Sequence, residues 1–344
     1  MKNRSIGIWL NRLRWTSLTL VFFLLVLLPY ITLYQSYEAS HAYDFLAPSE
    51  QKISDAMEAL TSPFVSDPIR DLNTLKGSTW SGVLFGIKLS DPLAWVSQLA
   101  ASGVFYWAFF ITAVFPILVT MLFGRVFCGW ICPANFIYEL NDHLAGWLKK
   151  VGFPIGEKRF DLRLKYLVLI IGLLLSSVTG VALLSVVYPP AILGREFYYI
   201  IALNGMGVGI VFFLVTLGLD LLLSRRFFCR YLCPGGALYS LLGRYRLVRI
   251  QRQVEVCNDC TLCNQVCQFG LDPMNDGLGQ ECNNCSACMA VCPTDALGVS
   301  LEFQDNLPQG AKKKKNTRKK HQTLRKNTRS EIRNHRKHLD DKYL

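Results

Sequence analysis

Four long stretches of the chain contain no Lys, Arg, Asp or Glu, and this feature restricts the fold more than any other. They cover residues 15–37, 92–124, 166–194 and 197–219, and each holds at least 23 residues. About 20 apolar residues in a helix are enough to span a bilayer. The chain is therefore predicted to be an α-helical integral membrane protein with four transmembrane helices, and an ordinary water-soluble fold is excluded.

The charges between these stretches predict how the helices are oriented. Four basic residues precede the first stretch, and residues 125–165 and 225–252 carry seven each. The loop at residues 38–91 carries four basic and eight acidic residues, and the short connection at residues 189–199 carries one basic residue. Because basic residues collect on the cytoplasmic side, this loop and this turn are predicted outside. Both termini are then predicted inside, in a multi-pass protein of the cell's inner membrane.

Eight of the twelve cysteines form two closely spaced rows that resemble those of bacterial two-cluster ferredoxins. The rows are Cys257-x2-Cys260-x2-Cys263-x3-Cys267 and Cys282-x2-Cys285-x2-Cys288-x3-Cys292-Pro293. A [4Fe–4S] cube takes four thiolates, and in such ferredoxins the fourth ligand comes from the other row. The first set of ligands is therefore predicted to be Cys257, Cys260, Cys263 and Cys292. The second set is predicted to be Cys282, Cys285, Cys288 and Cys267. The first row has Gln268 where proline is usual, which leaves the geometry of that turn open.

The distribution of charge divides the remaining sequence into domains. Residues 254–306 carry a net charge of −8, and residues 308–344 carry a net charge of +11. We predict a membrane domain over residues 1–253, a small α+β ferredoxin-like cytoplasmic domain over 254–306, and a basic, disordered tail over 307–344. The acidic residues, Glu281 among them, are expected at the surface of the ferredoxin-like domain. The tail is expected to bind anionic lipid of the inner leaflet, and no nucleic-acid partner is predicted.

The other four cysteines lie in a duplicated motif. Residues 125–140 and 226–241 are identical at seven of 16 positions, and each copy contains Cys-x3-Cys-Pro after a predicted membrane helix. The copies supply Cys128 with Cys132 and Cys229 with Cys233. A pseudo-twofold axis along the membrane normal would bring the pairs together.

Four interpretations of these pairs remain open: a shared metal or cluster site, a thiol redox pair, a contact surface for the ferredoxin-like domain, or small residues in a tight corner. Because each pair precedes a predicted helix start and has arginine neighbours, its thiolates are expected to be stabilised and reactive. The neighbouring arginines are Arg125, Arg226 and Arg230.

Together these motifs resemble the NapH/MauN family of ferredoxin-type membrane proteins and the membrane part of NosR. The resemblance covers about residues 10–305 and includes the segment that begins with Tyr188-Pro-Pro. It implies iron–sulfur electron transfer linked to the quinone pool, with another iron–sulfur protein or a terminal oxidoreductase as partner. Such a protein could be a quinol dehydrogenase subunit, although no residue identifies a catalytic site.

Two other functions remain open on the sequence alone. An assembly factor could use the paired thiols to handle or reduce a copper site, and a membrane redox sensor could signal through the tail. Proton acceptors for a quinol would be ionisable residues near the membrane. The candidates are Glu139, Asp142, Arg195, Glu196 and Asp220.

Overall fold

The computed structural model describes residues 2–301, apart from residues 42, 63–74, 78–81, 85, 86, 154, 157, 159, 204, 276 and 277. The predicted basic tail, residues 307–344, lies outside the described residues. The helices are α1 Lys2–Ser40, α2 Pro48–Thr61, α3 Pro92–Ser102, α4 Trp107–Phe123, α5 Pro133–Lys150, α6 Leu164–Thr179, α7 Pro189–Ala202, α8 Val208–Leu222, α9 Pro234–Leu242, α10 Leu262–Val266 and α11 Ala287–Ala290. The strands are β1 Leu75–Gly77, β2 Gly82–Leu84, β3 Ile87–Leu89, β4 Val248–Arg252 and β5 Leu297–Leu301.

The charge-free stretch at residues 92–124 forms two helices, so its prediction as one helix is wrong. Helix α3 ends at Gly103, whose left-handed φ of 65° turns the chain, and α4 begins at Trp107. The amide of Ser90 donates to the carbonyl of Thr112, and the Thr112 hydroxyl donates to Ser90 Oγ at 2.7 Å. The start of α3 thus lies beside the N-terminal half of α4, and α3 is a half-helix that folds back against it.

A second half-helix occurs at the corresponding place later in the chain. Helix α7 occupies Pro189–Ala202, where the sequence predicts a short outside turn, and the stretches at residues 166–194 and 197–219 are each divided between two helices. Tyr188 precedes α7 with extended backbone, and the two prolines that follow fit a first helical turn because they need no amide donor. The absence of charged residues from a stretch therefore does not show whether it forms one long helix or a half-helix followed by a longer helix.

The chain contains the same series of elements twice. The first repeat, residues 92–150, runs through α3, α4, the π-helical turn Phe127–Ile131 and α5. The second repeat, residues 189–242, runs through α7, α8, the π-helical turn Phe228–Leu232 and α9. Buried apolar residues from both repeats form one core, which includes Tyr138, Tyr188, Phe213, Phe228 and Ala237.

One helix of the described chain, over Asn3–Ser40, is long and apolar enough to cross a membrane by itself. It contains the first charge-free stretch, residues 15–37. Three shorter apolar helices accompany it, Trp107–Phe123, Leu164–Thr179 and Val208–Leu222. At 1.5 Å per residue these measure roughly 22–26 Å, which is less than the thickness of about 30 Å of a bilayer's hydrocarbon core.

The ferredoxin-like domain packs against the N-terminal end of α1. Strand β4 pairs antiparallel with β5, so its sheet includes residues that precede the predicted boundary at residue 254. The Arg4 amide donates to Asp295 Oδ1 at 2.8 Å. A Cβ atom on Gly7 would lie 2.7 Å from the Ala290 amide nitrogen, so glycine is required for this close approach. Helix α1 therefore connects the apolar helices to the cysteine-rich domain.

Candidate metal centres

The first set of ferredoxin cysteines surrounds a single cavity. This cavity measures about 20 Å³ and is lined by Cys257, Cys260, Cys263 and Cys292. Three of these residues come from the first row and one from the second. The structure thus brings together the residues that the sequence assigns to one cube.

The cysteines of the second set also lie close to one another. Burial, together with the nearby Cys285 and Cys282, raises the pKa of the Cys267 thiol to about 12. Burial and the same neighbours also raise the pKa of Cys288. As free thiols these groups hold their protons at neutral pH, and iron would have to displace them.

Both rows adopt the same unusual backbone conformation. Asp259 and Thr261 have φ values of 56° and 66°, and the corresponding Asn284 and Ser286 have φ values of 53° and 60°. Left-handed backbone is uncommon for residues other than glycine and costs roughly 1–2 kcal/mol per residue. Its repetition indicates that each row is wound in the same way so that three cysteines face one centre.

The departure at Gln268 has a structural reason. This residue is buried, and its side-chain amide donates to Glu139 Oε1 of the first repeat at 2.8 Å. A proline could not form that hydrogen bond. The turn of the first row therefore contacts the helical repeats directly.

The two Cys-x3-Cys-Pro motifs meet at one cavity between the repeats. Its volume is about 30 Å³, and its lining includes Cys128, Cys132, Cys229 and Cys233. Each π-helical turn carries the first cysteine of a pair, and the second cysteine is the N-cap of α5 or α9. Phe269 of the ferredoxin-like domain lines the same cavity. Among the described residues, no three His, Cys, Asp or Glu side chains converge tightly enough to hold a single metal ion.

The structure does not support the expectation of reactive, low-pKa thiolates at Cys132, Cys229 and Cys233. Burial raises the pKa of Cys132 and Cys229, and burial together with Cys128 raises the pKa of Cys233 to about 11. The helix N-terminus and Arg125 oppose this shift without cancelling it. As free thiols, Cys132, Cys229 and Cys233 therefore hold their protons, which disfavours these three residues as thiolate nucleophiles of a dithiol redox pair.

Two buried ion-pair networks flank the four-cysteine cavity and are related by the repeat. In one, Arg226 Nη2 lies 3.3 Å from Glu139 Oε2, and Arg14 Nη1 donates to the same oxygen at 2.6 Å. In the other, Arg125 Nη1 donates to Glu281 Oε2 at 2.7 Å, and the ammonium group of Lys165 also pairs with Glu281.

The second repeat lacks its own counterpart of Glu139. The duplication aligns Ser240 with Glu139, and the Ser240 hydroxyl donates to Glu281 Oε2 at 3.2 Å. The ferredoxin-like domain thus supplies the carboxylate that this repeat lacks. Glu281 is buried, so its expected place at the surface is wrong. Sequence reasoning also missed Lys165 and Phe269, and only the missing acid at Ser240 gave a signal for this contact.

The proton-acceptor candidates differ in their surroundings. Glu139 and Asp142 pair with arginines, and the buried Glu196 accepts from the Gly207 amide at 2.7 Å. Arg195 is partly exposed, and its Nε lies 4.0 Å from Glu196 Oε1. Asp220 accepts from the Phe228 amide through Oδ1, while its buried Oδ2 has no hydrogen-bond partner among the described residues. Asp220 also lines a cavity of about 450 Å³ that reaches Cys267.

The chain matches a known family in its helical repeats. Residues 105–151 and 206–253 match a family described as "4Fe-4S binding domain". Each match contains one Cys-x3-Cys-Pro motif, and neither contains a ferredoxin row. No solved structure gives a match.

Two groups of relatives are similar over most of their length. "Methylamine utilization ferredoxin-type protein MauN" of Methylorubrum extorquens is 31% identical over 207 residues, which cover 59% of this chain and 69% of the relative. "Ferredoxin-type protein NapH" of Haemophilus influenzae is 35% identical over 213 residues, which cover 61% and 71%. "Regulatory protein NosR" of Pseudomonas aeruginosa is 28% identical over 207 residues, which cover 57% of this chain and 25% of that protein. The resemblance inferred from the motifs is confirmed.

Proposed function

Because the chain belongs to the family of NapH and MauN ferredoxin-type proteins, we propose that it is a membrane-bound carrier of single electrons. In this proposal, electrons pass between membrane quinol and a redox protein through two [4Fe–4S] clusters. The two predicted cysteine sets hold these clusters. Each cube would supply one-electron chemistry, and the chain's own residues fix its position and its surroundings.

The observation that carries this proposal is the contact of the second set with the repeats. Gln268 and Glu281 are sequence neighbours of Cys267 and Cys282, and both side chains bond to residues of the helical part. The second set is therefore the membrane-proximal one. The first set is the one from which a partner protein would take electrons.

Four membrane crossings agree with the distribution of exposed apolar side chains. Large apolar residues at intervals of three or four positions are exposed along α4, α6 and α8, namely Ile111, Phe115, Leu118, Leu122, Leu167, Ile170, Leu174, Val208, Val211 and Leu214. Residues at this spacing share one helix face. Exposed apolar surface of this extent marks contact with lipid or with another protein.

We assign the quinol head group to the cavity of about 450 Å³ beside Asp220. Its volume lies within the usual range for small-molecule sites. Its lining includes Lys149, Arg225 and Cys267 together with the Asp220 carboxylate. Oxidation of a quinol releases two protons and two electrons. In this assignment Asp220 Oδ2 accepts one proton, the other proton goes to solvent, and a cluster held by Cys267 would take up the electrons one at a time.

The test is anaerobic addition of a short-chain quinol to the purified full-length protein in detergent. We expect both clusters to be reduced, and we expect Asp220→Asn to slow reduction by quinol at least tenfold while reduction by dithionite is unchanged. Asp161→Asn, at an exposed acid near the start of α6, is the matched control. Clusters that dithionite reduces but quinol does not would contradict the proposal. Copper bound through the four paired cysteines, without reaction with quinol, would instead support an assembly factor.

A further inference from the structure

We propose that Cys128, Cys132, Cys229 and Cys233 hold a third iron–sulfur cluster, buried at the interface of the two repeats. This inference goes beyond the proposed function, since two ferredoxin clusters suffice for an electron carrier. It rests on the convergence of four thiols from two copies of one motif. Four thiolates are the usual ligand set of [2Fe–2S] and [4Fe–4S] clusters.

The size of the cavity supports this assignment. Measured in the same way, the four-cysteine cavity has about 30 Å³ and the cavity of the first ferredoxin set has about 20 Å³. If the smaller cavity accommodates a cube, the larger one has room for a cluster as well. Both cavities are lined by four cysteines that belong to two separate segments of the chain.

The groups around the cavity suit an anionic cluster. Arg125 lies within hydrogen-bonding reach of Cys128, and the Gly236 amide donates to Cys233 Sγ at 3.4 Å. A Cβ atom on Gly236 would lie 2.8 Å from Arg125 Nη2, so glycine leaves room for this arginine. Arg125 and Lys165 share the single carboxylate of Glu281, which leaves one net positive charge beside the thiols. Hydrogen bonds to sulfur and nearby charge are the means by which proteins adjust cluster potentials.

The position of the cavity gives the third cluster a place in the electron path. Tyr188, Tyr239 and Phe269 line the cavity, and the Arg125 guanidinium carbon lies 4.9 Å from the centre of the Phe269 ring. Phe269 is two residues from Cys267 of the second ferredoxin set. The half-helix α7 begins at this cavity and extends about 21 Å away from it. The third cluster therefore lies between the second ferredoxin cluster and the interior of the repeats.

The electron step that follows moves no atoms. A reduced cluster loses one electron, a ferric iron of the neighbouring cluster gains it, and every thiolate stays bound. The ferredoxin cluster of the second set is the partner in this exchange. Such a step would let electrons pass between the second ferredoxin cluster and the interior of the helical repeats.

The first test is the iron and acid-labile sulfide content of the full-length protein, purified anaerobically in detergent. Two ferredoxin cubes account for about eight iron atoms per chain. We expect wild-type protein to hold about two to four more, and Cys128→Ser combined with Cys229→Ser to remove only this excess. Thr179→Ala, at the exposed end of α6, is the control and should keep the full content. Wild-type protein with no more than about eight iron atoms, or with zinc or copper in place of the excess iron, would overturn the inference.

The second test does not depend on the folding of the Cys128 and Cys229 variants. Cys263→Ser combined with Cys288→Ser should disrupt both ferredoxin cubes and leave about two to four iron atoms with an electron paramagnetic resonance (EPR) signal of their own. A variant of this kind that holds no iron while wild-type protein holds only the two cubes would overturn the inference. Extra iron in wild-type protein that quinol cannot reduce would support the third cluster and contradict the proposed function, so the two claims fail separately.

Discussion

Glu139 is the residue at which the helical repeats, helix α1 and the ferredoxin-like domain meet. It accepts from Arg14, pairs with Arg226 and accepts from Gln268, and it is almost fully buried. Removing one partner of a buried ion pair leaves an uncompensated charge and typically costs 3–5 kcal/mol. The stability of the whole arrangement should therefore depend on this carboxylate.

The first prediction is that Glu139→Gln lowers the free energy of unfolding by about 3–5 kcal/mol. Arg14 then remains buried without the carboxylate that it pairs with, and Arg226 keeps only its ion pair with Asp142. Thermal unfolding in detergent, followed by loss of cluster absorbance, measures the change. Asp44→Asn removes an exposed acid and should leave the unfolding midpoint unchanged. Equal midpoints for wild type and Glu139→Gln would contradict the role of Glu139.

The second prediction concerns pH. Burial alone would raise the pKa of Glu139, but the hydrogen bond from Arg14 and the charge of Arg226 lower it from 4.5 to about 2. A carboxylate with a lowered folded-state pKa stabilises the fold fully above its unfolded pKa of 4.5, and this stabilisation is lost as the pH falls towards 2. The shift corresponds to about 3 kcal/mol.

The measurement is the difference in stability between wild type and Glu139→Gln as a function of pH. This difference should be constant from pH 7 to about 5 and should then shrink as the pH falls through the window from 4.5 to 2. A difference that grows on acidification would show that the sign of the argument is wrong.

At the scale of elements, α1 has two contacts of different kinds. Its apolar length faces the repeats, and its first turns pack on α11 of the ferredoxin-like domain, where Gly7 approaches Met289 and Ala290. In contrast, a Cβ atom on Gly218 in α8 would meet no atom within 4 Å among the described residues. The two glycines therefore offer a matched comparison.

The third prediction is that Gly7→Ala and Gly218→Ala have opposite effects. The first forces α1 and α11 apart and should destabilise the protein by about 1–3 kcal/mol, with faster hydrogen exchange in the ferredoxin-like domain. The second replaces an unconstrained helical glycine and should be neutral or stabilising by up to about 1 kcal/mol. Hydrogen exchange that is equal in both variants would exclude the proposed packing of α1.

The cysteine motifs were easier to recognise in the sequence than the bounds of the helices. Each cysteine motif lies within a short segment of sequence, so the two rows and the duplicated motif could be recognised without knowing the fold. The half-helices α3 and α7 could not be recognised, because hydropathy does not record the direction of the chain. Gly103 turns the chain after α3, and extended backbone at Tyr188 precedes α7, both inside apolar stretches. Contacts between distant segments, such as Glu281 with Arg125, leave no periodic signal at all.

At the scale of the whole molecule, the charge of the loops predicts a fixed orientation in the membrane. The fourth prediction is that an epitope inserted after the exposed Phe45 is reached by antibody from outside intact spheroplasts. A C-terminal epitope should be reached only after permeabilisation, because the basic segments hold the C-terminal side in the cytoplasm. Both epitopes on the same side would contradict the predicted four crossings.

The order of the clusters is the central claim of this account, since it connects the helical repeats to a partner through the ferredoxin-like domain. The direct measurement is rapid mixing of the anaerobic, oxidised protein with quinol, followed by freezing at successive times and EPR spectroscopy. Clusters can be assigned with Cys260→Ser and Cys285→Ser, which remove one ligand from the first and second sets respectively. The account predicts that the second-set cluster gains its electron before the first-set cluster. Reduction of the first-set cluster first, at an undiminished rate in Cys285→Ser, would contradict it.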